Sequence, residues 1–89
     1  MVKSKCAVAK TIHTNSYSLL IDCIIQARLS AGLTQQAVAD RIGKPQSYVA
    51  KVERMERRLD IIEYFELSEA IGFEPISQIT TIWEEHRQK

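Results

Sequence analysis

Residues 34–53 read TQQAVADRIGKPQSYVAKVE, in which two short helical patterns flank a break at Gly43-Lys44-Pro45. Val38 and Ile42 lie four residues apart, so they place one apolar stripe on about two turns of helix. Gly43 can adopt the positive φ that ends a helix, and Pro45 suits the first turn of a new helix. The pattern therefore predicts two short helices joined by a tight turn.

The second helix of this pair carries different chemistry on its two faces. Val49 and Val52 form an apolar face, and the polar residues that can point the other way are Gln46, Ser47, Tyr48 and Lys51. A helix-turn-helix places its second helix in the major groove of DNA. Glutamine can bond an adenine edge bidentately, serine can bond several bases, and lysine can reach guanine or phosphate. The stretch thus indicates DNA binding.

The same residues resemble the Cro/C1-type (XRE family) helix-turn-helix domain of phage repressors and small bacterial regulators. The resemblance rests on Leu33-Thr34-Gln35, Ala39, Gly43, Gln46-Ser47-Tyr48-Val49, Lys51 and Val52-Glu53-Arg54, and it continues through Glu56-Arg57-Arg58-Leu59-Asp60 and Ala70-Ile71-Gly72. It implies an all-α, five-helix, lambda-repressor-like domain over residues 15–80. Residues 1–14 would then be a tail or an arm, and residues 81–89 the end of helix 5 with a possible dimer contact.

The resemblance also implies which side chains meet DNA. In the family, the second helix of the pair is the reading helix. Its first turn and the position matching Lys51 reach base edges, so Gln46, Ser47 and Lys51 are the expected base contacts. Tyr48 is expected either at a thymine methyl or a phosphate, or packed across the helix face. The expected phosphate contacts are Thr34, Gln35, Lys44, Arg54, Arg57 and Arg58. Thr34 is also the candidate N-cap of the first helix of the pair.

Two further positions carry expectations from the family. The residue matching Arg28 pairs there with a glutamate that ends the reading helix, and Glu53 matches that glutamate. We expect this ion pair to orient the reading helix, and the alternative is two solvated charges. Met55 stands where relatives usually have a glycine that permits positive φ. It predicts either a strained backbone at Met55 or a longer reading helix.

Apolar spacing and end signals predict the other three helices. Helix 1 is expected to begin near Thr14 or Ser16 and to end before Gly32. Helix 4 is expected to run from a capping box of Asp60 and Glu63 to its end at Gly72, and helix 5 is expected to start near Pro75. The expected inward faces are Ile61, Tyr64, Phe65, Leu67 and Ile71 on helix 4, and Ile76, Ile79, Ile82 and Trp83 on helix 5. The expected dimer contacts are Trp83 and Ile79, and packing within one subunit is the alternative for Trp83.

Length and composition fit one small globular domain, or one domain plus a tail. The chain has 89 residues, 45% of them hydrophobic, and a net charge of +1. Residues 40–58 hold six basic and three acidic residues, whereas residues 59–89 hold two basic and seven acidic residues. The half with the helix-turn-helix is therefore expected to attract phosphate. No apolar run is long enough to span a membrane, and Cys6 and Cys23 are expected to be reduced thiols of a cytoplasmic protein.

Enzymatic and metal-binding functions find no support in the sequence. It has no Gly-rich phosphate loop, no HExxH motif and no nucleophile elbow, and the spacing of its cysteines and histidines fits no metal site. We expect no cofactor and no catalytic residue. The expected function is a homodimeric transcriptional regulator, a repressor, that binds double-stranded DNA at an inverted-repeat operator. The alternative is an antitoxin-like module whose acidic C-terminal half binds a protein partner.

Overall fold

Five α-helices follow one another in a computed structural model that describes residues 15–88. They are α1 (Ser16–Ser30), α2 (Gln35–Ile42), α3 (Gln46–Glu53), α4 (Ile61–Ile71) and α5 (Pro75–His86). No strand occurs in residues 15–88, so the all-α prediction is confirmed. The predicted tail or arm over residues 1–14 lies outside the described residues.

The helix ends follow local capping chemistry. Thr34 caps α2 by accepting a hydrogen bond of 3.0 Å from the backbone N–H of Ala37, as predicted. Gly43 ends α2 at φ 71°, a left-handed conformation that costs glycine little. Asp60 and Glu63 form the predicted capping box of α4. Pro45 is the N-cap of α3 and lies just before the helix, one residue earlier than its predicted place in the first turn.

One apolar core joins the first four helices. It is built from Ile21 and Ile24 of α1, Val38 and Ala39 of α2, Tyr48, Val49 and Val52 of α3, and Tyr64, Leu67, Ala70 and Ile71 of α4. Their burial supplies the main driving force that holds α3 against the rest of the domain. The orientation of α3 is therefore set by the core on its inner side.

Two of the predicted inward faces are partly wrong. The buried stripe of α4 is narrower than expected and leaves Ile61, in the first turn, 53% exposed and Phe65, at the edge of the stripe, 38% exposed. No residue of α5 is fully buried. Ile76 and Trp83 are exposed, because α5 turns only one side toward the core and that side includes Ile79.

Cys23 also differs from expectation. It is 1% exposed within α1 and is disulfide-bonded, so the expectation of reduced thiols is wrong for this residue. Burial makes Cys23 part of the packed interior of the domain. None of the helices in residues 15–88 is long and apolar enough to cross a membrane.

Candidate nucleic-acid interface

The outer face of α3 presents three polar side chains together. Val49 and Val52 are buried, whereas Gln46, Ser47 and Lys51 are exposed. Since residues three and four apart share a helix face, Ser47 and Lys51 lie one above the other. The structure thus brings the three predicted base-contact residues to one accessible surface.

A chain of hydrogen bonds runs from this surface into the domain. The Gln46 Nε2 group donates to Gln35 Oε1 at 2.6 Å, and Gln35 Nε2 donates to Glu53 Oε1 at 2.8 Å. Glu53 in turn accepts two bonds from Arg28, of 2.6 Å from Nε and 2.9 Å from Nη2. A further Arg28 bond of 2.9 Å reaches the Leu33 carbonyl. Gln46 is therefore held by α2, α3 and α1 together.

The ion pair at the base of this chain is shielded from solvent. The side chains of Arg28 and Glu53 are 11% and 8% exposed. The cost of desolvating a shielded pair offsets much of its Coulomb attraction, so its clearest effect is to fix geometry. Here the pair fixes α1 against the C-terminal end of α3, and the alternative of two solvated charges does not apply.

Tyr48 lies on the inner side of the reading helix. Only 8% of the residue is exposed, so the ring packs across the helix face. This is the second of the two expectations for Tyr48. Arg57 lies over the ring with its Cζ atom 4.8 Å from the centroid, and the Lys44 Nζ atom lies 5.3 Å from the same centroid. Burial raises the pKa of the Tyr48 phenol, and the nearby Glu63 carboxylate raises it further. The ring is thus a platform for two cations.

The segment after α3 turns at Met55, which has φ 62°. The reading helix ends at Glu53, so the chain takes the strained path and does not extend the helix. The turn carries three arginines with different partners. Arg54 pairs with Glu56, with Nε and Oε2 3.0 Å apart. The Cζ atom of Arg58 lies over the Tyr17 ring, 4.1 Å from its centroid. The third arginine, Arg57, pairs with Glu63, with Nη2 and Oε2 2.9 Å apart.

The predicted phosphate-contact residues lie on three segments around α3. Thr34 and Gln35 lie at the start of α2, Lys44 lies in the turn between α2 and α3, and Arg54, Arg57 and Arg58 follow α3. All are exposed except Gln35, which is partly buried by its bonds to Glu53 and Gln46. The start of α2 also offers unpaired backbone N–H groups to an anion. Three of these residues contact side chains of α3, because Gln35 bonds Gln46, and Lys44 and Arg57 lie at the Tyr48 ring.

Sequence reasoning missed the second role of Glu63. The sequence predicts Glu63 as the second member of the capping box of α4, and the structure also places it against Arg57. An acidic residue six positions after an arginine, across a turn, carries no periodic signal. Only the folded path around Met55 brings the two together. Within residues 15–88, no group of three or more acidic, histidine or cysteine side chains could hold a metal ion.

The two predicted dimer contacts on α5 differ in burial. Trp83 is 55% exposed, so the alternative of core packing does not apply to it. Ile79 is partly buried and packs against the core cluster. Ile76 is 61% exposed, and with Trp83 seven residues later it lies on one outer face of α5.

Comparison with known proteins agrees with this geometry. The helix-turn-helix family model matches residues 24–78, which is more than half of the chain. An XRE-family like protein from Pseudomonas syringae pv. tomato has a similar solved structure, with a TM-score of 0.78 and 42% identity over 85% of this chain and 93% of that chain. An uncharacterized HTH-type transcriptional regulator, y4dJ, of Sinorhizobium fredii is 36% identical over 53 residues, which are 60% of this chain and 69% of the relative. With an exposed reading helix braced as described, this chain belongs to the XRE-type helix-turn-helix family of DNA-binding transcription regulators, which are not enzymes.

Proposed function

We propose that the protein is a sequence-specific operator-binding repressor that acts as a homodimer. The observation that carries this proposal is the accessible face of α3, where Gln46, Ser47 and Lys51 are exposed on a helix that hydrogen bonds fix to its neighbours. A helix presented in this way fits the major groove, where base edges display a distinct pattern of donors and acceptors. A DNA ligand also implies that the protein works in the cytoplasm, beside the chromosome.

Base recognition falls to the three side chains of this face. The Gln46 amide is fixed by its 2.6 Å bond to Gln35. A fixed amide loses little rotational freedom when it bonds an adenine edge, so the bond is available at low entropic cost. Within residues 15–88, the side chains of Ser47 and Lys51 make no comparable hydrogen bond to another helix, and they contact neighbouring bases. The buried Tyr48 ring is not assigned a base.

Phosphate contacts set the register of the complex. The start of α2, with Thr34 and Gln35, meets one phosphate group, and Lys44 meets its neighbour. The arginines of the turn after α3 meet the backbone on the other side of the groove. These contacts carry no base sequence, so they add affinity for every duplex and make binding depend on salt.

The second subunit is recruited through the outer face of α5. Trp83 and Ile76 expose apolar surface that water solvates poorly, and a matching face on a second copy would cover it. Ile79, one helical turn from each of them, borders this face and packs against the core. Two reading helices about 34 Å apart then enter successive major grooves of an inverted repeat. Occupation of such a site at a promoter blocks transcription.

A selection of binding sites from a randomised duplex pool tests this proposal. We expect an enriched inverted repeat with half-sites about one helical turn apart. The Gln46→Ala variant should relax the preference at one base position, whereas Lys44→Ala should weaken binding to all sequences about equally. Identical behaviour of the two variants would contradict the assignment of roles. Binding without any enriched sequence would contradict the operator function, and the exposed α5 face would then be assigned to a different protein partner.

A further inference from the structure

The guanidinium of Arg57 is held on three sides within the domain. Its Nη1 and Nη2 atoms donate to the two carboxylate oxygens of Glu63 at 3.0 and 2.9 Å. The Nη1 atom also donates to the Arg58 carbonyl at 3.1 Å, and the plane lies over the Tyr48 ring. Glu63 is fixed in turn, because its Oε1 atom accepts a 3.0 Å bond from the Asp60 backbone N–H. A planar group with these contacts has little freedom to rotate.

One edge of this guanidinium remains open. Within residues 15–88, the Nε–H group and the second hydrogen of Nη2 have no acceptor. These two donors lie on the same edge of the plane and form a fork that matches two oxygens of a phosphate. The Arg57 side chain is 41% exposed, so an anion can approach this edge.

The neighbouring Arg54 is arranged in the opposite way. Its Nε and Nη2 atoms already donate to Glu56 at 3.0 and 3.2 Å, so the same fork is occupied. Both partners are more than half exposed, and the pair is free to separate in solvent. Of these two arginines, Arg57 is therefore the one whose guanidinium is both fixed and open on one edge.

We propose that Glu63 is a positioning residue for DNA binding, which presents the open Nε–Nη2 fork of Arg57 to a DNA phosphate. The proposal rests on the function proposed above, in which Arg57 meets the DNA backbone. The capping box that starts α4 thereby also fixes a phosphate contact, and Tyr48 links that contact to the register of α3. DNA need not displace Glu63, since the two acceptors occupy different edges of one guanidinium.

The sign of a charge change separates this proposal from simple electrostatics. Glu63 is negative, so its removal should strengthen binding to DNA if only net charge matters. If Glu63 positions Arg57, its removal should weaken binding. Glu63→Gln is the appropriate variant, because glutamine can replace glutamate in a capping box and keeps α4 capped. Glu66→Gln is the matched control, since Glu66 is an exposed residue of α4 with no ion pair in residues 15–88.

The experiment measures duplex affinity of the full chain by fluorescence anisotropy between about 0.05 and 0.2 M salt. The wild type, Glu63→Gln, Glu66→Gln, Arg57→Ala and the Arg57→Ala/Glu63→Gln double variant are compared. Arg57→Ala should lose about eightfold in affinity at 0.1 M salt. The slope of the logarithm of the binding constant against the logarithm of the salt concentration should become less steep by about 0.9, as expected for the loss of one phosphate contact. Glu63→Gln should lose a part of the same affinity and slope, and Glu66→Gln should lose none. Circular dichroism and thermal melting show whether each variant is folded.

The double variant decides whether Glu63 acts through Arg57. No further loss from Glu63→Gln in the Arg57→Ala background supports the proposal. An equal loss in that background overturns it, and so does a gain of affinity in Glu63→Gln that matches Glu66→Gln. Unchanged binding in Arg57→Ala removes the phosphate role of Arg57, while enrichment of an operator by the wild type leaves the proposed function standing. Absence of any specific binding by the wild type removes both.

Discussion

Met55 is the one non-glycine residue in residues 15–88 with positive φ, at 62°. A side chain in this left-handed region costs about 1–2 kcal/mol. We therefore expect Met55→Gly to raise the free energy of unfolding by about 1 kcal/mol. Glycine also increases the entropy of the unfolded chain, which reduces this gain. Urea unfolding measures the difference. Glu66→Gly, at the centre of α4, should instead lose about 1 kcal/mol, and a loss in both variants would contradict the strain at Met55.

Glu63 should also leave a signature in the dependence of stability on pH. The bidentate bond from Arg57 holds the pKa of its carboxyl below the usual 4.5, and the bond from the Asp60 N–H lowers it further. A carboxyl with a lowered folded pKa contributes stability that is present above the unfolded pKa and is lost as pH falls through the folded pKa. Below about pH 4.5, urea midpoints should therefore fall more steeply for the wild type than for Glu63→Gln. Parallel curves would mean that the pair does not form in solution.

At the scale of elements, α1 and α3 are joined by the ion pair of Arg28 and Glu53, which is nearly closed to solvent. Arg28→Met removes one partner and leaves a shielded carboxylate, so we expect a loss of about 3 kcal/mol in the free energy of unfolding. The double variant Arg28→Met/Glu53→Leu should lose much less, because no charge is left without its partner. Urea unfolding of the two variants and of Glu53→Leu completes a double-mutant cycle. Additive losses would show that the pair is not coupled.

The elements themselves could be predicted from the sequence to different degrees. The helix ends at Thr34, Gly43 and Asp60 follow from chemistry within a few residues, so they were predicted correctly. The exposure of Ile61 and Phe65 depends on how far neighbouring helices extend over α4, and apolar spacing alone does not contain that information. The Arg57–Glu63 pair depends on the turn at Met55, for which the sequence left two paths open.

At the scale of the whole molecule, the exposed face of α5 should control assembly. Trp83→Glu places a charge in the proposed dimer surface, so we expect sedimentation of a monomer at concentrations where the wild type is dimeric. Affinity for an inverted repeat should fall strongly, and affinity for a single half-site should change little. Leu29→Glu, which changes another exposed apolar residue on a different helix, is the control. Equal sedimentation of the wild type and Trp83→Glu would remove α5 from the interface.

The hydrogen-bond chain that ends at Gln46 has a consequence for the evolution of new binding sites. Replacing Gln46 leaves Gln35 without its partner and disturbs a chain that reaches α1 through Glu53 and Arg28. Replacing Ser47 or Lys51 breaks no bond to another helix in the part of the chain that the structure describes. We expect divergent copies of such a gene to acquire new targets first through positions 47 and 51, while position 46 is inherited with its scaffold.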